Sequence, residues 1–193
     1  MEIKQTQMIT GIILAGGHSS RMGQDKAELP LKNGTLLDEM IRKLQQLGID
    51  DIIVSNHEST TRYVADEFLG CGPLGGIHAC MKLAHYPSCL IISVDVPLIP
   101  VDTLKDIIMR HQNAQTDATI LIHDEQIEPL IGVYNTSILS IVTSMLENGH
   151  YAVRELLRLI DYQTLEYTDN DIFLTNCNTP EDYQLIISTL SKD

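Results

Sequence analysis

One segment of this chain gathers residue types suited to holding phosphate: Leu14-Ala15-Gly16-Gly17-His18-Ser19-Ser20-Arg21-Met22-Gly23-Gln24-Asp25-Lys26. Adjacent glycines let backbone N–H groups approach phosphate oxygens closely, and Arg21 and Lys26 supply the positive charge a triphosphate demands. Composition alone fits a surface loop with chance basic residues equally well. There is no G-x-x-x-x-G-K-[ST], and Gly16-Gly17-His18 breaks G-x-G-x-x-G, which weakens both the P-loop ATPase and the dinucleotide-binding readings.

Ser93-Val94-Asp95-Val96-Pro97 ends an apolar run. A carboxylate placed there can hold Mg²⁺, which takes one or two carboxylates and leaves its other positions to water and substrate phosphates. An exposed turn aspartate before a proline is the alternative. Gly70-Cys71-Gly72-Pro73-Leu74-Gly75-Gly76 places four glycines in seven residues ahead of a helix, which suits either close backbone approach to a ligand or a tight turn. In Asn176-Cys177-Asn178 the two amides project to the same side of an extended segment and can hydrogen-bond a polar ligand, although Asn178 also suits a turn. The seven histidines form no i, i+4 pair and receive no metal or base role. Cys71, Cys80, Cys89 and Cys177 lack zinc or disulfide spacing and read as buried thiols.

The elements that must position these groups alternate. Apolar runs at 9–15, 51–55 and 89–94 read as strands, and helical spacing appears at 35–47, 74–85 and 101–111. This order implies right-handed crossovers and a largely parallel sheet covered on both faces, with ligands bound beyond the carboxyl ends of its strands. The apolar runs at 118–122 and 127–134 are too close for a crossover helix, so this pair is expected to be antiparallel and the sheet mixed. Helices at 137–147 and 152–160 and a strand at 163–167 follow. A last helix is announced by Thr179 as N-cap, Pro180, Glu181 and Asp182 at the capping-box position.

The 193 residues fit one domain, 1–193, and 44% hydrophobic residues are enough to bury a core. A net charge of −13 argues against nucleic acid or an anionic membrane as partner. It also requires that the 13 Lys and Arg be concentrated where phosphate binds. Residues 1–10 lack the apolar core of a signal peptide, and no run approaches ~18 apolar residues, so the chain is expected in the cytoplasm.

Taken in order, these segments resemble the molybdenum cofactor guanylyltransferase family. The resemblance rests on Leu14-Ala15-Gly16-Gly17 with Arg21-Met22-Gly23-x-Asp25-Lys26, on Asp66 before Gly72-Pro73-Leu74-x-Gly76-Ile77, on Asp95-x-Pro97-x-x-Pro100, and on Asn176-x-Asn178-Thr179-Pro180-Glu181-Asp182. It implies a Rossmann-like three-layer α/β/α nucleotidyltransferase fold, with GTP and molybdopterin as substrates and Mg²⁺ as cofactor. Leu14, Ala15, Gly16 and Gly17 would contact the nucleotide together with Asn56 and Asp66. Arg21 and Lys26 would lie on its phosphates, and Asp95 would be the metal ligand. Gly72, Pro73, Leu74, Gly76, Asn176 and Asn178 would face the molybdopterin. Other molybdenum cofactor biosynthesis proteins and apo-molybdoenzymes would complete the partners. Cytidylyl-transferring relatives tend to carry alanine where Gly16 stands, and the missing methyl group leaves room for a purine. Cys177 occupies a position where the family pattern has a branched aliphatic residue.

The implied chemistry is attack of the molybdopterin phosphate on the α-phosphorus of GTP, with pyrophosphate leaving and no protein nucleophile. Catalysis then comes from alignment and from cations spread over the developing charge. Three alternatives stand beside it: cytidylyl transfer to molybdopterin, transfer to a sugar phosphate, and a catalytically silent GTP-binding scaffold. A dehydrogenase lacks its glycine fingerprint.

Overall fold

A computed structural model describes residues 8–16, 25–55 and 63–190. Arg21, Gly17 and Asn56 lie outside them. Seven strands form one sheet in the order β5 (Tyr63–Val64), β4 (Ile52–Ser55), β1 (Thr10–Leu14), β6 (Ser88–Ser93), β8 (Gln126–Asn135), β7 (Ala118–His123) and β9 (Tyr162–Glu166). All run one way except β8, which pairs antiparallel with both β6 and β7. The short 123–126 connection forces that reversal, because a parallel partner needs a crossover of a dozen or more residues. At its tip Asp124 and Glu125 both adopt positive φ, 48° and 60°, the twist that a two-residue hairpin turn requires. A second, two-stranded ribbon of β2 (Pro30–Leu31) and β3 (Gly34–Thr35) precedes the first helix.

Helices cover both faces, as the resemblance implies. On one side lie α1 (Leu36–Gln46), α3 (Val101–Gln112) and α6 (Pro180–Leu190), which bury Leu37, Met40, Leu104, Ile108 and Ile186 against Ile13, Leu90 and Ile92. On the other lie α2 (Gly72–Met81), α4 (Leu139–Glu147) and the single-turn α5 (Val153–Leu156), with Leu74, Ile77, Val142 and Leu156 against Ile12, Ile91 and Ile120. Successive strand residues point to opposite faces, which is why Ile12 and Ile13 belong to different cores. Cys80 and Cys89 sit in the second core, where burial pushes their thiols up to about 12 and keeps them unreactive.

Two capping boxes fix helix starts. Thr35 and Asp38 exchange hydrogen bonds at α1. At α6 the Thr179 hydroxyl accepts from the Asp182 amide at 3.2 Å, while the Asp182 carboxylate accepts from the Thr179 and Asn178 amides at 2.8 and 3.0 Å. The boundary expected at Thr179 is therefore where the helix begins. The helix expected over 152–160 is only one turn, because the chain tightens into i→i+3 bonds, Arg158 to Glu155 and Leu159 to Leu156, before Asp161 joins the sheet.

β8 departs from regular pairing. Ile120 faces Gly132 while Leu121 faces Glu128, so residues 129–131 bow out of the ladder with β7. The buried Tyr134 hydroxyl donates to the Pro129 carbonyl at 2.6 Å and ties this bulge down. Pro129, unable to donate a ladder bond, stands where none is needed.

At the amino-terminal edge of the sheet, Asp51 Oδ2 accepts from the Thr10 hydroxyl at 2.5 Å, and Asp51 Oδ1 lies 2.8 Å from His85 Nδ1. Burial works to raise the Asp51 pKa, but the hydrogen bonds from Thr10 and His85, with the charge of His85, outweigh it and hold the carboxyl below its usual range. A carboxyl depressed on folding adds stability that is complete above its unfolded pKa of about 4 and is lost as pH falls through the folded value. Asp51→Asn should therefore lower the melting temperature more at pH 7 than at pH 3; equal losses at both would contradict this reading.

Candidate active site

The carboxyl ends of β1, β4 and β6 open onto a cleft. Leu14, Ala15 and Gly16 form its floor where β1 ends, Ser55 and Asp66 one flank, Gly72, Pro73 and Gly76 the α2 wall, and Ser93, Val94 and Asp95 the continuation of β6. Lys26 and Leu130 complete it. Backbone bonds keep these turns in register: Ala15 N–H to Ser55 O at 2.9 Å and Val94 N–H to Leu14 O at 3.0 Å.

Lys26 enters from a 3₁₀ turn, Lys26–Glu28, that Asp25 caps by accepting from the Ala27 amide. Its ammonium donates to Asn178 Oδ1 at 2.6 Å and stands 3.8 Å from Asp95 Oδ2. The Cys177 amide donates to the Asp95 carbonyl at 2.7 Å. The segments read separately as a cationic loop, a lone carboxylate and an amide pair thus converge, although Lys26 and Asn178 are 152 residues apart. Asp95 Oδ1 is buried and has no hydrogen-bond partner among the described residues. Asp182 sits below this cluster: burial acts to raise its pKa, but the Thr179 and Asn178 amides, the Thr179 hydroxyl and Lys26 prevail and lower it. It therefore stays ionised and keeps Asn178 in place.

Leu74 is fully buried in the core beneath the glycine-rich turn, and Asn176 is not among the cleft-lining residues. Ser55 and Leu130 line the cleft without having been singled out, and Ser93 lines it although only Asp95 of its segment was given a role. The signal for the two serines was a polar residue closing an apolar strand. Ser55 Oγ donates to Asp66 Oδ1 at 3.1 Å.

Gly76 makes this contact possible. A Cβ there would lie 2.3 Å from Ser55 Oγ, 3.1 Å from Ser55 Cβ and 3.4 Å from a Leu14 methyl. Gly76→Ala should force Ser55 off Asp66, cost about 1–3 kcal/mol of stability, and weaken nucleotide binding. Urea unfolding and titration calorimetry with GTP check this, and wild-type affinity in the variant would contradict it.

A second cluster lies on the same edge, beyond β7. His123 Nε2 is 3.0 Å from Asp171 Oδ1 and 3.8 Å from Asp124 Oδ2, and the three ligand atoms lie within 4.8 Å of one another. That spacing is compatible with a metal ion, but both aspartates are largely exposed.

Residues 11–166 match the family model described as MobA-like NTP transferase domain. The chain belongs to this family. Among MobA-like relatives, a probable molybdenum cofactor guanylyltransferase of Carboxydothermus hydrogenoformans is 31% identical over 195 residues, spanning 96% of this chain and 98% of that protein. The crystal structure of molybdopterin-guanine dinucleotide biosynthesis protein A from Archaeoglobus fulgidus superposes with a TM-score of 0.81 over 95% of this chain and all of that one, at 22% identity. The crystal structure of Rv0371C from Mycobacterium tuberculosis in complex with manganese gives a TM-score of 0.69 at 16% identity, over 95% of this chain and all of that one. The mixed, mostly parallel α/β/α fold is that of the nucleotidyltransferases. Among the described residues no helix is long and apolar enough to cross a membrane.

Proposed function

We infer that this nucleotidyltransferase carries GMP from GTP to molybdopterin, forming the molybdopterin guanine dinucleotide and releasing pyrophosphate. The relatives' names support the reaction. The observation that best supports its location is the approach of Lys26 to Asp95, with Asn178 holding the ammonium, at the mouth of a cleft walled by Gly16 and Gly76.

Leu14, Ala15, Gly16 and Gly17 receive the guanine nucleotide with Asn56 and Asp66, while Lys26 and Arg21 lie on its phosphates. Gly72, Pro73, Gly76, Asn176 and Asn178 face the acceptor, and Leu74 supports their turn from the core. The terminal phosphate oxygen of the acceptor attacks the α-phosphorus, the bond to the bridging oxygen breaks, and the charge leaves as pyrophosphate. No side chain need act as nucleophile. Lys26 contributes by neutralising charge where it develops, at no reorganisation cost because Asn178 already holds it.

Asp95 fits the role of Mg²⁺ ligand. Its Oδ1, without a partner among the described residues, is a hard oxygen donor beside the cleft, and one carboxylate with phosphate and water is a usual magnesium set. When bound there, Mg²⁺ supplies further charge neutralisation on the triphosphate. The wider partner set is that of cofactor biosynthesis, with apo-molybdoenzymes as recipients.

Pyrophosphate release measured with GTP, CTP, ATP and UTP in the presence of molybdopterin tests the reading. GTP alone should support turnover, since Gly16 leaves room for a purine. Preference for CTP would make the enzyme a cytidylyltransferase, and GTP binding without pyrophosphate release would make it a scaffold.

A further inference from the structure

β6 has β1 on one side and β8 on the other. With the nucleotide over β1 and the acceptor's phosphate end between Asp95 and the α2 glycines, the far end of the acceptor extends past Asp95 toward β8. There the bulge clamped by Tyr134 interrupts the ladder immediately after Glu128. Leu130, two residues on, already lines the cleft. Glu128 is half-buried and feels the charges of Arg154, His123 and Asp95, and its carboxylate accepts no hydrogen bond among the described residues. Burial pushes its carboxyl up, the mark of an anion that has lost water without gaining donors. Bulges of this kind re-aim side chains beside active sites.

We propose that Glu128 recognises the pterin of the acceptor, its two carboxylate oxygens accepting from the 2-amino group and the N3–H of the pyrimidinone edge. This rests on the functional reading above and adds the group that selects the substrate. A pterin offers two parallel N–H donors, the complement of a carboxylate, which accepts only. Arg154, whose Nη2 donates to the Ile127 carbonyl at 3.3 Å, stands beside it as the donor available to the pterin's 4-oxo group. Guanine carries the same donor edge, so the Michaelis constant for GTP serves as the internal control.

The test is Glu128→Gln and Glu128→Ala in the full chain, with Michaelis constants determined separately for molybdopterin and GTP. Loss of hydrogen bonds to a charged group should raise the molybdopterin constant about tenfold to a hundredfold, with the GTP constant and the melting temperature unchanged. A second readout separates recognition from packing. In the wild type, 6-hydroxymethylpterin should compete with molybdopterin far better than the corresponding lumazine, which carries an oxo group in place of the 2-amino group. Glu128→Gln should level or reverse that order, because an amide can donate to the oxo group while accepting from N3–H. An unchanged molybdopterin constant, an equal rise for GTP, or unaltered pterin preference overturns the role of Glu128 while dinucleotide formation by the wild type keeps the functional reading intact. Failure of the wild type to form the dinucleotide would instead remove that reading.

Discussion

Asp95→Asn should reduce guanylyl transfer about a thousandfold or more, the upper range for removing one preorganised electrostatic contact in an active site, while the protein stays folded. The substitution keeps the shape of the side chain and the Cys177 amide bond to the backbone carbonyl. It removes the anionic charge that Mg²⁺ requires and that faces Lys26 at 3.8 Å. Stability should move little, because a partly solvated ion pair contributes about 0–1 kcal/mol. Steady-state pyrophosphate release and a thermal melt on the same preparation check both halves. Turnover within tenfold of wild type would remove Asp95 from the reaction.

Lys26→Ala is the second large effect, with kcat/KM for GTP expected to fall about a hundredfold to a thousandfold. In a chain of net charge −13, the cation lost is the only one among the described residues that line the cleft. Asn178→Ala should cost about tenfold, since the ammonium remains but loses its 2.6 Å tether. The two losses should not add: with Lys26 gone, Asn178 has no ammonium to hold, and the double variant should match Lys26→Ala. Additive losses in kcat/KM for GTP would mean that Asn178 acts on the nucleotide other than through Lys26.

Much of the fold was readable from local chemistry. The apolar run ending at Gly16, the helix spacing of Leu37, Met40 and Leu44, and the cap at Thr179 each depend on neighbours a few residues apart. The antiparallel placement of β8 followed from loop length alone. What escaped depends on distant partners. The bulge at residues 129–131 arises where β8 pairs with β7, Ile120 facing Gly132 and Leu121 facing Glu128, and α5 stops early because Asp161 must pair with Asp117 and Ala118 across the sheet. At the site, the glycine loop and Asp95 were read as residue types at strand ends, and Asp66 only through the family resemblance. The Lys26–Asn178 bond was not, since only the folded sheet brings α6 back to the first turn. Nor was Glu128, an acidic residue in an otherwise apolar run whose setting becomes visible only with the bulge. Arg21, Gly17 and Asn56 remain expectations of the sequence.

The central claim, α-phosphoryl attack with GMP transfer at this cleft, is tested most directly by isotope position. GTP labelled in turn at the α- and γ-phosphorus is incubated with enzyme, Mg²⁺ and molybdopterin, and the products are separated. The α-label should appear in the dinucleotide and the γ-label only in pyrophosphate. Recovery of γ-label as free phosphate or on the acceptor, with GDP as co-product, would contradict the account.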